Sequence, residues 1–301
     1  APQSESQCQA RQDEVPLQPF LNQASHTPRI LVAGCGYTGE RCADFFCRDG
    51  AAVTGLVSSQ ESAQRLAGKP YAVIAANAAD AEALRGKFSD TAPPDVLVHC
   101  LSGHGGRDAE AYRVTYVETL RNLLEVLRPK FCVFTGSTSV YPQNDGTLVT
   151  EESRTGGTPT GDVLLEAERI ALAAGGAVVR LGGIYGPGRT RFIEAARSGQ
   201  PTAGDPDGFI NFIHRDDAAA ALHHVGKLQL GGIWNAVDDR PVRRAELAEA
   251  IRNGSPLPDV AAVCDRRLPA TGKRVRNAKL RAAGWTPRYP TVIDAIKANA
   301  V

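Results

Sequence analysis

The stretch Arg29-Ile-Leu-Val-Ala-Gly-Cys-Gly-Tyr-Thr-Gly39 decides how the rest of the chain is read. Ile30 to Ala33 is a short apolar run of the kind a buried strand uses. Gly34, Gly36 and Gly39 form G-x-G-x-x-G, and Glu40 to Arg48 reads as a helix. Strand, glycine turn and helix in that order are the setting in which this spacing points to a dinucleotide site. Gly34 suits a tight turn that a Cβ would oppose. Gly36 lets the backbone approach a pyrophosphate resting on the positive helix end. Gly39 lets helix and strand pack closely. Cys35, Tyr37 and Thr38 lie in the same turn and count with the glycines as cofactor-binding. The competing reading is a glycine turn with no ligand.

Beyond Gly39 the chain alternates strand and helix. The residue pattern predicts strands over 52–57, 71–76, 96–100, 131–134 and 177–181, and helices over 62–67, 80–85, 108–127 and 163–174. In the longest helix Val114, Val117, Leu120, Leu124 and Leu127 fall near one face. Such alternation implies an α/β fold, a doubly wound parallel sheet of Rossmann-like type. Its ligand belongs at the carboxyl ends of the strands.

The 301-residue chain is long enough for one large domain or a domain with an annex, and its net charge is +1. No basic stripe with interleaved aromatics appears, so nucleic acid is not an expected partner. No apolar run reaches membrane-spanning length. Seven Cys residues are scattered with no C-x-x-C and no Cys/His ligand spacing, which suits reduced thiols in a cytoplasmic protein and predicts no metal. Residues 1–28 are rich in Gln, Ser and Pro and form an N-terminal extension with Val15, Leu17, Phe20 and Leu21 as its only anchors. It lacks the charged start and apolar core of a secretory signal.

The end of the second strand bears on cofactor choice. An NAD reader usually carries Asp or Glu there to bond the ribose 2′-hydroxyl. Here Val57 is followed by Ser58 and Ser59, and no carboxylate arrives before Glu61. Both hydroxyls tolerate a 2′-phosphate, and Arg41 or Arg65 could reach one, so the cofactor is read as NAD(P) with a lean toward NADP. Alternatively the serines cap the next helix.

Four further stretches, with the glycine turn, resemble the extended short-chain dehydrogenase/reductases, also called NAD-dependent epimerase/dehydratases, over Arg29 to about Ala298. Thr135-Gly-Ser-Thr-Ser-Val-Tyr-Pro142 is similar to the family's active-site serine strand. Val179-Arg-Leu-Gly-Gly-Ile-Tyr-Gly-Pro-Gly-Arg189 is similar to its R-x-x-x-x-Y-G-P-G segment. Asn211-Phe-Ile-His-Arg-Asp-Asp217 resembles F-I-H-V-D-D, and Leu280 to Pro290 resembles its carboxyl-terminal helix and tail. The resemblance implies a Rossmann-like domain of residues 29–185 plus 216–237. A smaller substrate lobe of residues 186–215 plus 238–301 would face it across a cleft. Leu101, Ser102 and Gly103, after the fourth strand, would border the cofactor.

The chemistry departs from the family. Its general acid/base is a Tyr whose pKa is lowered by a Lys four residues later. Those positions align with Thr160 and Leu164, neither of which can do that proton chemistry near neutral pH. A supporting Asn on the long helix aligns with Tyr116. Ser137 keeps the serine position. The chain therefore resembles an atypical branch. Ser137, Tyr141 and His104 are the catalytic candidates, His because it titrates near neutral pH; His99 is weighed beside them as a core residue. Arg180, Arg189, Arg191, His214 and Arg215 would face or flank the cleft. Arg189 and Arg191 could hold a phosphate or carboxylate through paired donors.

The expectation is an NAD(P)-dependent epimerase/dehydratase-like oxidoreductase acting on a small polar or nucleotide-sugar-type substrate through a non-standard acid/base set. A catalytically silent dinucleotide-binding sensor or scaffold is the alternative. The only expected partner is a small-molecule substrate, and a homodimer is left open.

Overall fold

The computed structural model describes residues 26–102, 108–257 and 271–301. In chain order, β1 (Arg29–Ala33), α1 (Gly39–Arg48), β2 (Ala52–Val57), α2 (Gln60–Arg65), β3 (Ala72–Ala75), α3 (Ala81–Phe88) and β4 (Val96–His99) come first. The long helix follows as α4 (Ala109–Tyr112), a π segment (Arg113–Glu118) and α5 (Thr119–Leu127). Then come β5 (Phe131–Ser137), a 3₁₀ turn (Thr138–Val140), β6 (Leu148–Val149), α6 (Pro159–Ala173), β7 (Ala177–Leu181) and β8 (Gly183–Tyr185). The remainder is α7 (Arg191–Arg197), β9 (Gly208–Ile210), β10 (Phe212–His214), α8 (Arg215–Leu228), β11 (Gly232–Ala236), β12 (Val242–Arg243), α9 (Arg244–Asn253), β13 (Thr271–Gly272), β14 (Arg274–Val275), α10 (Ala278–Ala282) and α11 (Val292–Lys297).

Seven strands form one sheet in the order β3-β2-β1-β4-β5-β7-β11. Every pairing in it is parallel. The order reverses between β1 and β4, which makes that crevice the topological switch point of the doubly wound sheet. Alternate residues of β1 feed opposite faces. Ile30 and Val32 join a core with Phe46, Leu222, Trp234, Leu280 and Trp285. Leu31 and Ala33 join a core with Leu120, Leu123, Phe134, Leu164 and Ala167. Burial on both faces is why β1 reads as a continuous apolar run and not as an alternation.

Several elements differ from the sequence expectation. The helix expected over 163–174 starts at Pro159, because Thr158 accepts the Gly161 N–H at 3.1 Å and Pro suits the first helical position. The helix expected over 108–127 is interrupted by its π segment, and within it Leu123 is fully buried whereas Leu124 is only partly so. The carboxyl-terminal stretch is also divided in its packing. Leu280 of α10 and Trp285 belong to the core that holds α1 and α8, whereas Leu247 of α9, Tyr289 and Ile293 of α11 pack with Tyr185 and Ile193.

Candidate functional site

A cleft of about 660 Å³ opens at the switch point. It is lined by the glycine turn, the ends of β2, β3, β4 and β5, the π segment and the residues that follow β7. Gly34 has φ +91°, and a Cβ there would stand 2.6 Å from Cys100 O. A Cβ on Gly39 would stand 2.2 Å from Gly34 O. Both positions therefore require glycine, for the turn and for the close approach respectively. A Cβ on Gly36 would meet nothing within 4 Å, so the bare surface of this residue faces open space. The Gly36 N–H donates back to Gly34 O at 2.7 Å. Gly36 thus contributes room, and amide donors for an anion must come from the start of α1, where N–H groups lack helical acceptors. Tyr37 and Thr38 line the cleft there.

Cys35 also borders the cleft, but its thiol is turned inward toward Val32 O at 3.7 Å. Burial pushes that thiol up to about 12, which keeps it protonated and unreactive near neutral pH. Ser58, Ser62 and Arg65 line the end of the cleft beside β2. Ser59 does not: its Oγ accepts the Ser62 N–H at 3.2 Å and caps α2. Arg41 does not either. Its Nε and Nη2 hold Asp216 at 3.0 and 3.1 Å. Of the two expected serines and the two expected arginines, Ser58 and Arg65 line this end of the cleft, and Ser59 and Arg41 do not.

Leu101 and Ser102 line the cleft as expected. Gly103 and His104 lie outside the described residues. At the opposite end stand Ser137 and Ser139 from β5 and its 3₁₀ turn, with Tyr112, Val114, Thr115, Tyr116 and Thr119 from the long helix. Ser137 Oγ accepts the Ser139 N–H at 3.1 Å, which leaves its own proton free to donate. Ser139, Thr115 and Thr119 were not singled out from sequence. The π segment brings the helix residues in, and a one-residue bulge leaves no signature in side-chain periodicity.

His99 explains how that segment is held. It is fully buried, with Nε2 2.9 Å from Thr119 Oγ1. The Thr119 hydroxyl donates its one proton to Thr115 O at 2.5 Å, so His99 must be the donor, through Nε2–H. Burial lowers its pKa to about 4, so the ring is neutral. His99 supports the cleft wall and does not reach the cleft.

Tyr141 is a correction. It is 1% exposed, donates to Asn235 Oδ1 at 2.8 Å and accepts from Arg180 Nη1 at 2.8 Å. Arg180 is itself paired with Glu168 through both carboxylate oxygens, at 2.9 and 2.6 Å. Tyr141 thus belongs to a buried network joining the end of the 3₁₀ turn, α6, β7 and β11, and does not line the cleft. Thr160 is absent from the cleft lining, whereas Leu164 is part of it. Of Arg180, Arg189, Arg191, His214 and Arg215, only Arg189 lines it. His214 is buried, with Nδ1 accepting the Asp216 N–H at 3.1 Å and Nε2 donating to Ala300 O at 2.9 Å. Among the described lining residues the charged ones are Arg65 and Arg189, and none is a carboxylate.

A parallel doubly wound sheet with a glycine-lined cleft at its switch point, with no carboxylate among the described lining residues, defines a Rossmann-like α/β protein. Residues 30–236 match the model of the NAD dependent epimerase/dehydratase family, and the chain belongs to that family. The protein YeeZ of Escherichia coli strain K12 is 27% identical over 221 residues, covering 69% of this chain and 76% of that one. A solved Methylobacillus flagellatus structure of the NAD-dependent epimerase/dehydratase type is 28% identical, with a TM-score of 0.72 over 91% of this chain and 97% of that one. The fold also matches MoeE5, solved with UDP-glucose and NAD, at 19% identity and a TM-score of 0.69 over 89% of this chain and 96% of that one. It matches the UDP-glucose 4-epimerase of Thermotoga maritima, solved with UDP-glucose, at 16% identity and a TM-score of 0.68 over 90% and 99%. Among the described residues no helix is long and apolar enough to cross a membrane.

Proposed function

We propose that the chain binds NADP(H) and acts as an epimerase/dehydratase-like oxidoreductase on a small polar or nucleotide-sugar-type substrate, using an acid/base set other than the family's Tyr/Lys pair. The observation that carries this reading is the composition of the cleft. Among the described lining residues the two charged ones are both arginines, one beside Ser58 and Ser62, and its far end offers Ser137. A dinucleotide with a 2′-phosphate is complementary to that distribution. The start of α1 and the room at Gly36 would hold the pyrophosphate, and Ser58, Ser62 and Arg65 the 2′-phosphate. Such a cofactor supplies hydride transfer at its nicotinamide.

The chain's own part is to bind, orient and handle the proton. Ser137 has a hydroxyl proton to give to a substrate carbonyl oxygen. Tyr116, whose pKa burial raises, stays a neutral phenol and can donate but not accept a proton near neutral pH. His104 stays in the proposed set because histidine is the side-chain type suited to proton transfer near neutral pH. The five described cysteines are all free, which accords with a reducing, cytoplasmic setting. A homodimer is a further element of the proposal, to be tested by light scattering.

Leu164 in the lining, with Thr160 outside it, favours a second reading: a dinucleotide-binding sensor without turnover. Calorimetric titration with NADPH and NADH, followed by a turnover screen with UDP-glucose and small carbonyl compounds, separates the two. For the enzyme, NADPH binds at least as tightly as NADH. Ser137→Ala then lowers turnover by about 10²–10⁴-fold, the usual worth of positioned proton transfer, while Thr160→Ala leaves it unchanged. Tight binding with no turnover selects the sensor, and failure to bind either nucleotide refutes both.

A further inference from the structure

Three guanidiniums gather around the glycine turn. The Arg189 Cζ stands 4.2 Å from the centre of the Tyr37 ring, and that of Arg215 stands 5.1 Å from it. Arg41 and Arg215 both bond Asp216, each with an Nε contact of 3.0 Å. Among the described residues Arg189 has no ion pair, and of the three it alone lines the cleft. Among the described residues no carboxylate neutralises it on the side where the turn would receive an anion.

The seat of Arg189 is built. It ends the turn Gly186-Pro-Gly-Arg189, closed by the Arg189 N–H donating to Gly186 O at 2.8 Å. Gly186 has φ +136°, and a Cβ there would stand 3.0 Å from His214 Nε2 and 3.2 Å from the Tyr37 hydroxyl. Only glycine lets this turn lie so close to the ring. His214 is fixed in turn by its bonds to Ala300 O and the Asp216 N–H. A guanidinium that stacks by its face keeps its N–H edges free for hydrogen bonds. The ring it covers is one residue from Gly36, inside the turn itself.

We propose that Arg189 closes over the pyrophosphate of a bound dinucleotide from the wall opposite α1, so that the segment following β8 grips the cofactor. This rests on the dinucleotide reading above and adds a residue that the glycine pattern does not contain. The start of α1 contributes a partial positive charge of about half a unit, and Arg189 adds a full one with paired donors. The two would hold the pyrophosphate between them.

The test is calorimetric titration of the full chain with NADPH, NADH and ADP-ribose, in wild type, Arg189→Ala, Arg189→Gln, Arg189→Lys and Gly36→Asp. Arg189 is exposed, so its variants are expected to fold, and thermal melts check this. Arg189→Ala and Arg189→Gln should each weaken all three ligands by about 10–100-fold, the range for losing a hydrogen bond to a charged group. The NADPH/NADH ratio should stay unchanged, Lys should restore most of the loss, and added salt should shrink it. Wild-type affinity in Arg189→Gln overturns the proposal, as does loss in every Arg189 variant with no rescue by Lys, since stacking alone would then matter. Unchanged cofactor affinity with a raised substrate KM also overturns it and assigns Arg189 to a substrate anion. If wild type binds none of the three ligands, the dinucleotide reading itself fails; if Gly36→Asp alone loses binding, that reading stands and this one falls.

Discussion

Replacing Gly36 with Asp tests the cofactor site where the structure separates binding from folding. No atom lies within 4 Å of the position a Cβ would take, so the larger side chain meets no steric obstacle. The variant should melt within about 1 °C of wild type, since surface changes away from special features are worth about ±0.5 kcal/mol. Binding should behave differently. A carboxylate at this point stands near the expected pyrophosphate, and two like charges about 4 Å apart repel by about 4 kcal/mol at an effective dielectric of 20. That corresponds to about a thousandfold loss of NADPH affinity. Isothermal calorimetry on both proteins measures it, with Gly39→Ala as the contrast. There the added Cβ meets Gly34 O at 2.2 Å, and folding should suffer first. NADPH affinity in Gly36→Asp within tenfold of wild type would refute the placement of the pyrophosphate at this turn.

Arg65→Ala should reduce NADPH affinity by about tenfold or more and leave NADH nearly unchanged, because a lost charge-assisted bond is worth about 1.5–3 kcal/mol; competition titrations read the ratio. Tyr141→Phe should cost about 1–3 kcal/mol in urea unfolding, since it strips partners from the buried Arg180 and Asn235, and should leave cofactor affinity and any turnover unmoved. His99 sets a pH dependence. Its folded pKa of about 4 lies below the unfolded value near 6.5, so its neutral form contributes stability that is present above pH 6.5 and is lost as pH falls toward 4. At about 1.4 kcal/mol per unit the loss is roughly 3 kcal/mol, measured as the difference between wild-type and His99→Gln denaturation midpoints at pH 7 and pH 4.5; parallel profiles would refute it.

The parts legible in sequence are the ones set by local geometry. The β1 turn is fixed by which positions tolerate a Cβ, and the clashes at Gly34 and Gly39 are with atoms of the same crossover or the adjacent strand end. The parallel sheet follows from strand–helix alternation for a similar reason. What was not legible depends on contacts between distant residues. Tyr141 follows the serine strand directly, and only the 3₁₀ turn shows that it points inward to Asn235, 94 positions away. Ser58 and Ser59 are neighbours of the same type, yet one faces the cleft while the other is consumed as a helix cap. The stacking of Arg189 on Tyr37 joins turns about 150 residues apart and carries no local signal. The π segment is hidden for another reason: it moves the helix by one residue without changing its composition.

The packing of Leu280 and Trp285 against α1 and α8 has a consequence for synthesis. The core that begins with Ile30, among the earliest described residues, is completed by side chains about 250 positions later in the chain. A ribosome adding about 5–20 residues per second leaves that apolar face without its cover until residues 278–285 have emerged. The Rossmann-like half is therefore expected to finish packing only after residues 278–285 are made. Chains ending before Ala278 should expose Trp234 and Leu222 to water and be taken by chaperones or aggregate, even though every glycine of the cofactor turn is present.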